Sequence, residues 1–470
     1  MISKLNDYLK DYAKKTPSKI ALADRKNVVS YSDFYHLVNK LAYLLTKYVL
    51  DENTEIGISI PKNINLPIVY LGVFRCGFSA IPLEVNISQS KLLIIGKVTR
   101  MKYIIKFINE KLVLYRLDSK LDVIEEFELN FKDIELDIKE YIECEEEQSR
   151  YFNLTSGSTG TPKIFSTKTT QVVYNAINVN LSLPIELNGS YMCLFSESMH
   201  PHELFVKPLV AGECCVLCTT NEYQHINELI ERFNIKSLLA TPNLYKYLMS
   251  IIKKENWNNI KHLQVGGEKV EYQFRETFFN TTGKKLISAW GSTETTGIVF
   301  YTPIEWALSK KVVLGACIGG YKCKISSEGE LLIKGYACIE QYYNSEEIIV
   351  DNEGYYNTGD LVYKDDNEIF YYEGRKDNQV KVGGRFISLF QLEQELLTVQ
   401  AIKEITIEVS SSNDNIVIFL VVTSEFNELE FRKLLVKKVN NIAFKICYLS
   451  ELPRMENGKL NKSKIKLLVE

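Results

Sequence analysis

The feature that most narrows the fold is an alternation of two periodicities. Short apolar runs with strand character occur at Glu55–Ile60, Ala80–Leu83, Ser190–Phe195, Glu213–Cys218, Ser237–Ala240 and His262–Val265. Between several of them lie stretches whose apolar residues recur at helical spacing, such as Leu66–Cys76 and Gln171–Asn180. Side chains repeat every second residue in a strand and every ~3.6 residues in a helix, so one pattern cannot serve as the other. Strands alternating with helices argue for α/β layers around mostly parallel sheets. The chain opens with helical spacing at Leu5–Tyr12 and Tyr31–Leu45, around a hairpin of Ile20–Ala23 and Val28–Tyr31. From Gly315 the pattern turns to short strands and turns, as in Glu330–Ile333 and Glu368–Tyr372, which predicts a β-rich subdomain. Near Asp377 it changes again. Ser388–Leu397 and Glu428–Val439 read as helices and Ile402–Val409 and Ile416–Val422 as strands, a small α+β unit. The expected division is a large α/β N-terminal region, 1–376, and a small mobile α+β domain, 377–470.

Composition excludes several classes. With 46% hydrophobic and 24% charged residues the chain can bury an ordinary globular core. A net charge of −3 gives no surplus of cations for nucleic acid or an anionic membrane. The longest apolar run, Ile416–Val422, is strand-length, and the start MISKLNDYLKDYAKK lacks an apolar leader segment. The expected location is cytoplasmic, without nucleic-acid or membrane partners. Of ten cysteines, Cys214, Cys215 and Cys218 cluster in CCVLC. A metal or redox pair is conceivable there, but no second pair stands at ligand spacing, and the run reads as a buried strand. The acidic patch Glu143–Glu147 reads as a solvated connection.

Chemistry enters at Asn153–Lys163, NLTSGSTGTPK. Gly157 and Gly160 let the backbone approach a ligand, and backbone N–H groups in such a loop form an anion-binding concavity. Thr155, Ser156, Ser158 and Thr159 add hydroxyls, and Lys163 adds a compact charge. The pattern describes a loop that wraps a polyphosphate. Its spacing Gly157-x-x-Gly160-x-x-Lys163 is neither the Walker A loop nor the nucleophile elbow, which makes Ser156 and Ser158 poor hydrolase nucleophiles.

This loop resembles the phosphate-binding signature of the acyl-adenylate-forming, or AMP-binding, superfamily. That superfamily includes acyl-CoA synthetases, luciferases and the adenylation domains of non-ribosomal peptide synthetases. Four more segments follow in the family's order. Ala289–Thr296, AWGSTETT, resembles the aromatic-Gly-x-Thr-Glu segment, which implies that Thr293 approaches the α-phosphate, Glu294 holds Mg²⁺ and Trp290 stacks on adenine beside Gly291 and Ser292. Tyr356–Leu361, YNTGDL, implies that Asp360 binds the ribose diol, with Asn357 where the family has arginine. Gly374–Arg385 resembles the segment joining large and small domains. It implies a ribose contact by Arg375, a hinge at Asp377, and a thiol-tunnel loop including Lys381, Gly383 and Gly384. Leu452–Asn461, LPRMENGKLN, is close to the peptide synthetase pattern and implies that Lys459 is the mobile catalytic lysine. Gly266, Gly267 and Glu268 resemble a segment lining the acyl and adenine pockets. Thr155 and Glu294 join Lys459 in the implied catalytic set.

The resemblance implies ATP and Mg²⁺ as requirements and two half-reactions. A carboxylate attacks the ATP α-phosphate to give acyl-AMP and pyrophosphate, and a thiol then takes the acyl group. Asn457-Gly458-Lys459 favours the phosphopantetheine of a separate carrier protein over coenzyme A, and the chain is expected to carry no fused carrier domain. Amino-acid-activating relatives have Phe-Asp-x-Ser where this chain reads Phe195-Ser196-Glu197-Ser198. A buried ammonium facing Ser196 would lack a counter-charge. The expected acid therefore has no standard α-amino group, an aryl or small acyl acid for instance. Glu197 or Glu203 leaves an unusual amino acid open. His200 and His202 are expected to line the acyl pocket, with zinc binding as the weaker reading for want of a third ligand at familiar spacing. A catalytically silent nucleotide-binding protein is the remaining class, opposed by Lys163, Glu294, Asp360, Arg375 and Lys459 together.

Overall fold

The computed structural model describes residues 4–49, 51, 54–137, 141–155, 163–186, 188–198, 200, 202–268, 270–343, 345–376, 379–382, 385–399, 401–410, 415–439, 443–454 and 460–469, with backbone alone at 154–155, 163, 379–382 and 385–388. These residues form two compact units. One comprises Met1–Lys310, Leu314–Cys323 and Ile333–Tyr356, and the other Lys311–Val313, Lys324–Leu332 and Asn357–Glu470.

The larger unit has the alternating α/β build expected. One sheet runs, in spatial order, Val28–Ser30, Ile20–Ala23, Cys214–Val216, Ser190–Cys193, Ile235–Ala240, His262–Val265, Ile287–Ser292 and Gly297–Tyr301. Pairings from Ile20–Ala23 through Ile287–Ser292 are parallel, and the two ends are antiparallel hairpins. The second sheet runs Val123–Glu128, Lys111–Leu117, Met101–Ile108, Glu55–Ser59, Ser79–Pro82, Arg150–Thr155 and Lys163–Lys168. Its central strand Glu55–Ser59 is buried throughout, as is the helix Asn65–Arg75. A helix hydrophobic all round belongs inside layers, not on a surface. The meander Met101–Glu128 is an addition to the expected strands. Its tight turn at Asn109–Glu110 uses positive φ at two residues that are not glycine, 49° and 63°, so the usual Asn-Gly punctuation is missing.

The acidic patch corrects an expectation. Glu145 and Glu147 are exposed, but Glu146 is fully buried. Its carboxylate accepts from Leu5 N at 2.8 Å, Asn6 N at 3.0 Å and Asn6 Nδ2 at 2.8 Å. The two backbone groups are free donors of the first turn of helix Leu5–Lys15, so Glu146 caps that helix from across the chain. Burial raises its pKa, opposed by those hydrogen bonds.

The smaller unit holds the hairpin Tyr356–Lys364 with Phe370–Arg375, a second hairpin Gln379–Val382 with Arg385–Ser388, and a sheet in the order Ile402–Val409, Asn415–Val422, Ala443–Tyr448. Helices Leu389–Leu396 and Glu428–Val439 supply Leu392, Leu396, Phe431 and Leu435 to a core shared with Ile405, Ile416, Ile418 and Leu420. The expected strand at Glu368–Tyr372 starts later: Glu368 sits at φ 62° in the turn, and Ile369 N bonds Asp365 Oδ1 at 3.0 Å.

Candidate active site

The strands Arg150–Thr155 and Lys163–Lys168 are antiparallel, and Thr155 and Lys163 are the last paired residues of their register. The loop between them carries Ser156, Gly157, Ser158, Thr159 and Gly160, which lie outside the described residues. Its two ends are thus fixed by a hairpin on the edge of the second sheet.

The segment Trp290–Thr296 is built with little freedom. Strand Ile287–Ser292 pairs antiparallel with Gly297–Tyr301, matching Trp290 to Phe300 and Ser292 to Gly297. Gly291 is required there, since a Cβ would lie 2.0 Å from Gly297 O. Trp290 meets Phe300 edge-on with centroids 5.7 Å apart. The turn Thr293–Thr295 follows, closed by Thr296 in the left-handed region at φ 62°. Thr295 Oγ1 accepts from Ser292 N at 3.0 Å, Thr296 Oγ1 donates to Ala337 O at 2.6 Å, and Ile339 N donates to Glu294 O at 2.8 Å. The turn holds Thr293 buried and Glu294 half-buried. Among the described residues no lysine or arginine is ion-paired with Glu294, so its carboxylate suits a divalent cation.

The residues expected on the acyl side gather next to this turn. Gly266 follows strand His262–Val265, and a Cβ on it would stand 3.2 Å from Ala289 O and 4.0 Å from the Phe195 ring. Phe195, Gly266 and the residue before Trp290 are therefore neighbours. Gly267 takes φ 84° and Glu268 lies within reach of Asn243. Ser196, Glu197 and Ser198 are half-buried.

Helix His202–Ala211 presents a buried polar cluster that the motifs only partly identify. His202, Glu203 and Lys207 are 4%, 4% and 3% exposed. Glu203 and Lys207, one turn apart, form an ion pair. His202 Nε2 is 3.9 Å from Glu203 Oε1, and its ring stands edge-on to Tyr151 at 5.2 Å and to His200 at 5.6 Å. Burial holds the His202 pKa down to about 4, against the pull of Glu203. Burial works to raise the Glu203 pKa, but Lys207 and His202 together hold it below its ordinary value. The signal in the sequence was Glu203 and Lys207 at helical spacing in an otherwise apolar stretch. The cysteine run is packing: Cys214, Cys215 and Cys218 are buried, and Cys215 Sγ donates to Leu204 O at 2.9 Å.

In the smaller unit Asp360 and Arg375 are cross-strand partners, with Arg375 Nη1 3.2 Å from Asp360 Oδ1 and 2.9 Å from Thr358 O. Thr358 Oγ1 donates to Leu331 O at 2.8 Å and accepts from Asp360 N at 3.0 Å. Gly359 takes φ 73°, where a Cβ would lie 2.9 Å from Arg375 Nη2. Asp360 is buried and the Arg375 side chain 41% exposed. Asn357 is exposed on the same strand. Lys381 lies in strand Gln379–Val382, while Asp377, Gly383, Gly384 and Lys459 lie outside the described residues. Among the described residues no helix is long and apolar enough to cross a membrane.

Known proteins are similar to this chain in sequence and in fold. The family model described as AMP-binding enzyme matches residues 9–343. Tyrocidine synthase 3 of Brevibacillus parabrevis is 24% identical over 97% of the chain, which spans only 7% of that protein. Zwittermicin A synthase ZmaJ of Bacillus cereus is 23% identical over 97% of the chain and 93% of its own length. Among solved structures, O-succinylbenzoate coenzyme A synthetase (MenE) of Bacillus subtilis, in complex with ATP and magnesium ion, superimposes with a TM-score of 0.81 at 19% identity, covering 98% of this chain and 99% of that one.

Proposed function

We propose, given that the chain belongs to the AMP-binding enzyme family, that it activates a carboxylic acid with ATP and passes the acyl group to a thiol. The observation that carries the reading is the Gly291–Thr296 turn, fixed on both sides and offering one carboxylate, Glu294, that has no ion-pair partner among the described residues. That carboxylate would hold Mg²⁺, which supplies neutralisation of the polyphosphate oxygens. The loop between Thr155 and Lys163 would cradle the phosphates, with Thr293 beside the α-phosphate. Trp290 and Gly267–Glu268 would take the adenine. Asp360, with two carboxylate oxygens, suits a vicinal diol, and Arg375 orients it from the facing strand. The acid's carboxylate oxygen attacks the α-phosphorus, and the bond to the bridging oxygen of pyrophosphate breaks. Negative charge gathers on the α-phosphate oxygens, where Lys459 would stabilise it. Residues Lys381–Gly384 would line the thiol's path in the second half-reaction.

The polar cluster bears on the acid. Glu203 is committed to Lys207, so its charge is not spare for a substrate ammonium. With Ser196 in the position where relatives use aspartate, this supports an acid without a standard α-amino group, aryl or small acyl. Glu197, half-buried in the same loop, is the residue through which an unusual amino acid would bind. A separate phosphopantetheine-bearing carrier protein is the preferred acceptor, in line with the peptide synthetase pattern around Lys459. Coenzyme A is the alternative, as in the MenE synthetase.

Carboxylate-dependent ATP–pyrophosphate exchange tests this across α-amino, β-amino, aryl and aliphatic acids. Exchange with aryl or aliphatic acids is expected. Exchange confined to an α-amino acid would overturn the Ser196 reading, and none with any acid would favour a silent nucleotide-binding protein. Lys459→Ala should lower exchange ~100-fold or more while circular dichroism stays unchanged. Product analysis with coenzyme A against a carrier protein bearing phosphopantetheine distinguishes the acceptors.

A further inference from the structure

We propose that Cys317 and Cys323 are a reversible thiol–disulfide pair that tightens the brace behind the Thr293–Thr296 turn. Their sulfurs lie 3.0 Å apart, the one thiol–thiol contact among the described residues. Cys193, Cys214, Cys215, Cys218 and Cys338 are buried, whereas Cys317 and Cys323, like Cys76, Cys144 and Cys447, are half-buried, and the pair flanks the exposed Gly319–Gly320. A small oxidant can therefore reach them. A disulfide needs its sulfurs at about 2.05 Å, so each strand end must give by only a fraction of an ångström. The bend between them contains Gly320 at φ 84°, beside Gly319, which can absorb that change.

Either sulfur can donate its S–H to the other, and the contact lets one thiol of the pair ionise more readily while its neighbour keeps the proton. The sulfur that ionises attacks and its neighbour resolves. With a small disulfide such as oxidised glutathione, the first thiolate attacks one sulfur and expels a glutathione thiolate. The second cysteine then gives up its proton to water and attacks the first in the mixed disulfide, expelling the second glutathione. Two protein thiols are oxidised and one glutathione disulfide is reduced to two thiols.

The pair frames Tyr321, which ties this bend to the turn carrying Glu294. Tyr321 Oη donates to Thr295 O at 3.0 Å and accepts from Asn175 Nδ2 at 2.8 Å. Ile318 N donates to Val299 O at 2.8 Å, and Cys317 is registered opposite Phe300. Closing the pair restricts the short segment on which the back of the turn rests.

The test uses the full chain equilibrated in glutathione buffers from reducing to oxidising. Thiols are trapped by alkylation, and peptides are mapped by mass spectrometry. Free thiols should fall from the ten in the sequence by one pair, with one cross-linked peptide joining Cys317 to Cys323, and recover with dithiothreitol. C338S should behave as wild type, and C323S should lose the cross-link. Amide hydrogen exchange over 293–301 should slow by about threefold or more on oxidation, and only where the pair is intact. Ten thiols retained at the most oxidising ratio, or a cross-link to Cys338, overturns the pairing. Unchanged hydrogen exchange in the cross-linked protein overturns the brace. None of these readouts requires the chain to adenylate anything.

Discussion

Acidification should destabilise the larger unit chiefly through His202. The pKa of this imidazole is held down from 6.5 to about 4 by burial. A depressed pKa contributes stability that is present above the unfolded value and is lost as pH falls toward the folded one. The groups facing the ring are Glu203, Lys207, His200, Tyr151 and the Thr296 backbone. At about pH 7 the ring is mostly neutral in both states. At about pH 5 nearly every unfolded molecule carries the proton and roughly a tenth of folded ones do, which removes about 2 kcal/mol of stability. For a unit this large that corresponds to roughly 3 °C in melting temperature. The comparison is wild type against His202→Gln, melted at both pH values. Whatever the substitution costs near neutrality, the gap between the two proteins should narrow by about 2 kcal/mol at the lower pH. A gap constant to within ~0.5 kcal/mol would refute the reasoning, because His202 would then be no more buried from protons in the native state than in the unfolded chain.

Other expectations follow from single residues. Glu146→Ala should destabilise by about 3 kcal/mol, measured by denaturant unfolding, since three donors at the start of helix Leu5–Lys15 lose their acceptor. Because burial raises its pKa, Glu146 stabilises most below its unfolded pKa and less as pH rises through the folded one, so that penalty should grow on acidification. Gly291→Ala should prevent the Trp290–Phe300 register and abolish pyrophosphate exchange, seen together as lost activity and a lowered melting temperature; an active G291A variant would mean the two strands can separate freely. Asp360→Ala should raise the KM for ATP on the order of 10–100-fold, with little change in melting temperature because its partner Arg375 is well solvated.

Much of this was legible in the sequence because the signals were local. The parallel strands from Ser190 to Val265 are short, largely apolar and almost wholly buried, and such segments in a chain with intervening helices have few other solutions. Gly291 and Gly359 stand where the backbone permits no side chain or only positive φ, which is why the motifs containing them read as short words. What escaped was set by partners distant in the chain. Glu146 looks like any surface carboxylate until Leu5 and Asn6 are brought beside it. Lys207 looks like a solvated lysine until Glu203 and its own burial are seen. The hairpin turn at Asn109–Glu110 adopts left-handed backbone without glycine, so composition held no marker for it.

The cap on the first helix also orders events during synthesis. Leu5 and Asn6 are made some 140 positions before their acceptor, Glu146. The hairpin strand Ile20–Ala23 waits longer still, for its parallel neighbour Cys214–Val216. A helix this short is marginal in water without tertiary support. The helix is therefore made well before the partners that dock it, and nascent chains arrested before Glu146 should leave it open to proteases while longer ones protect it.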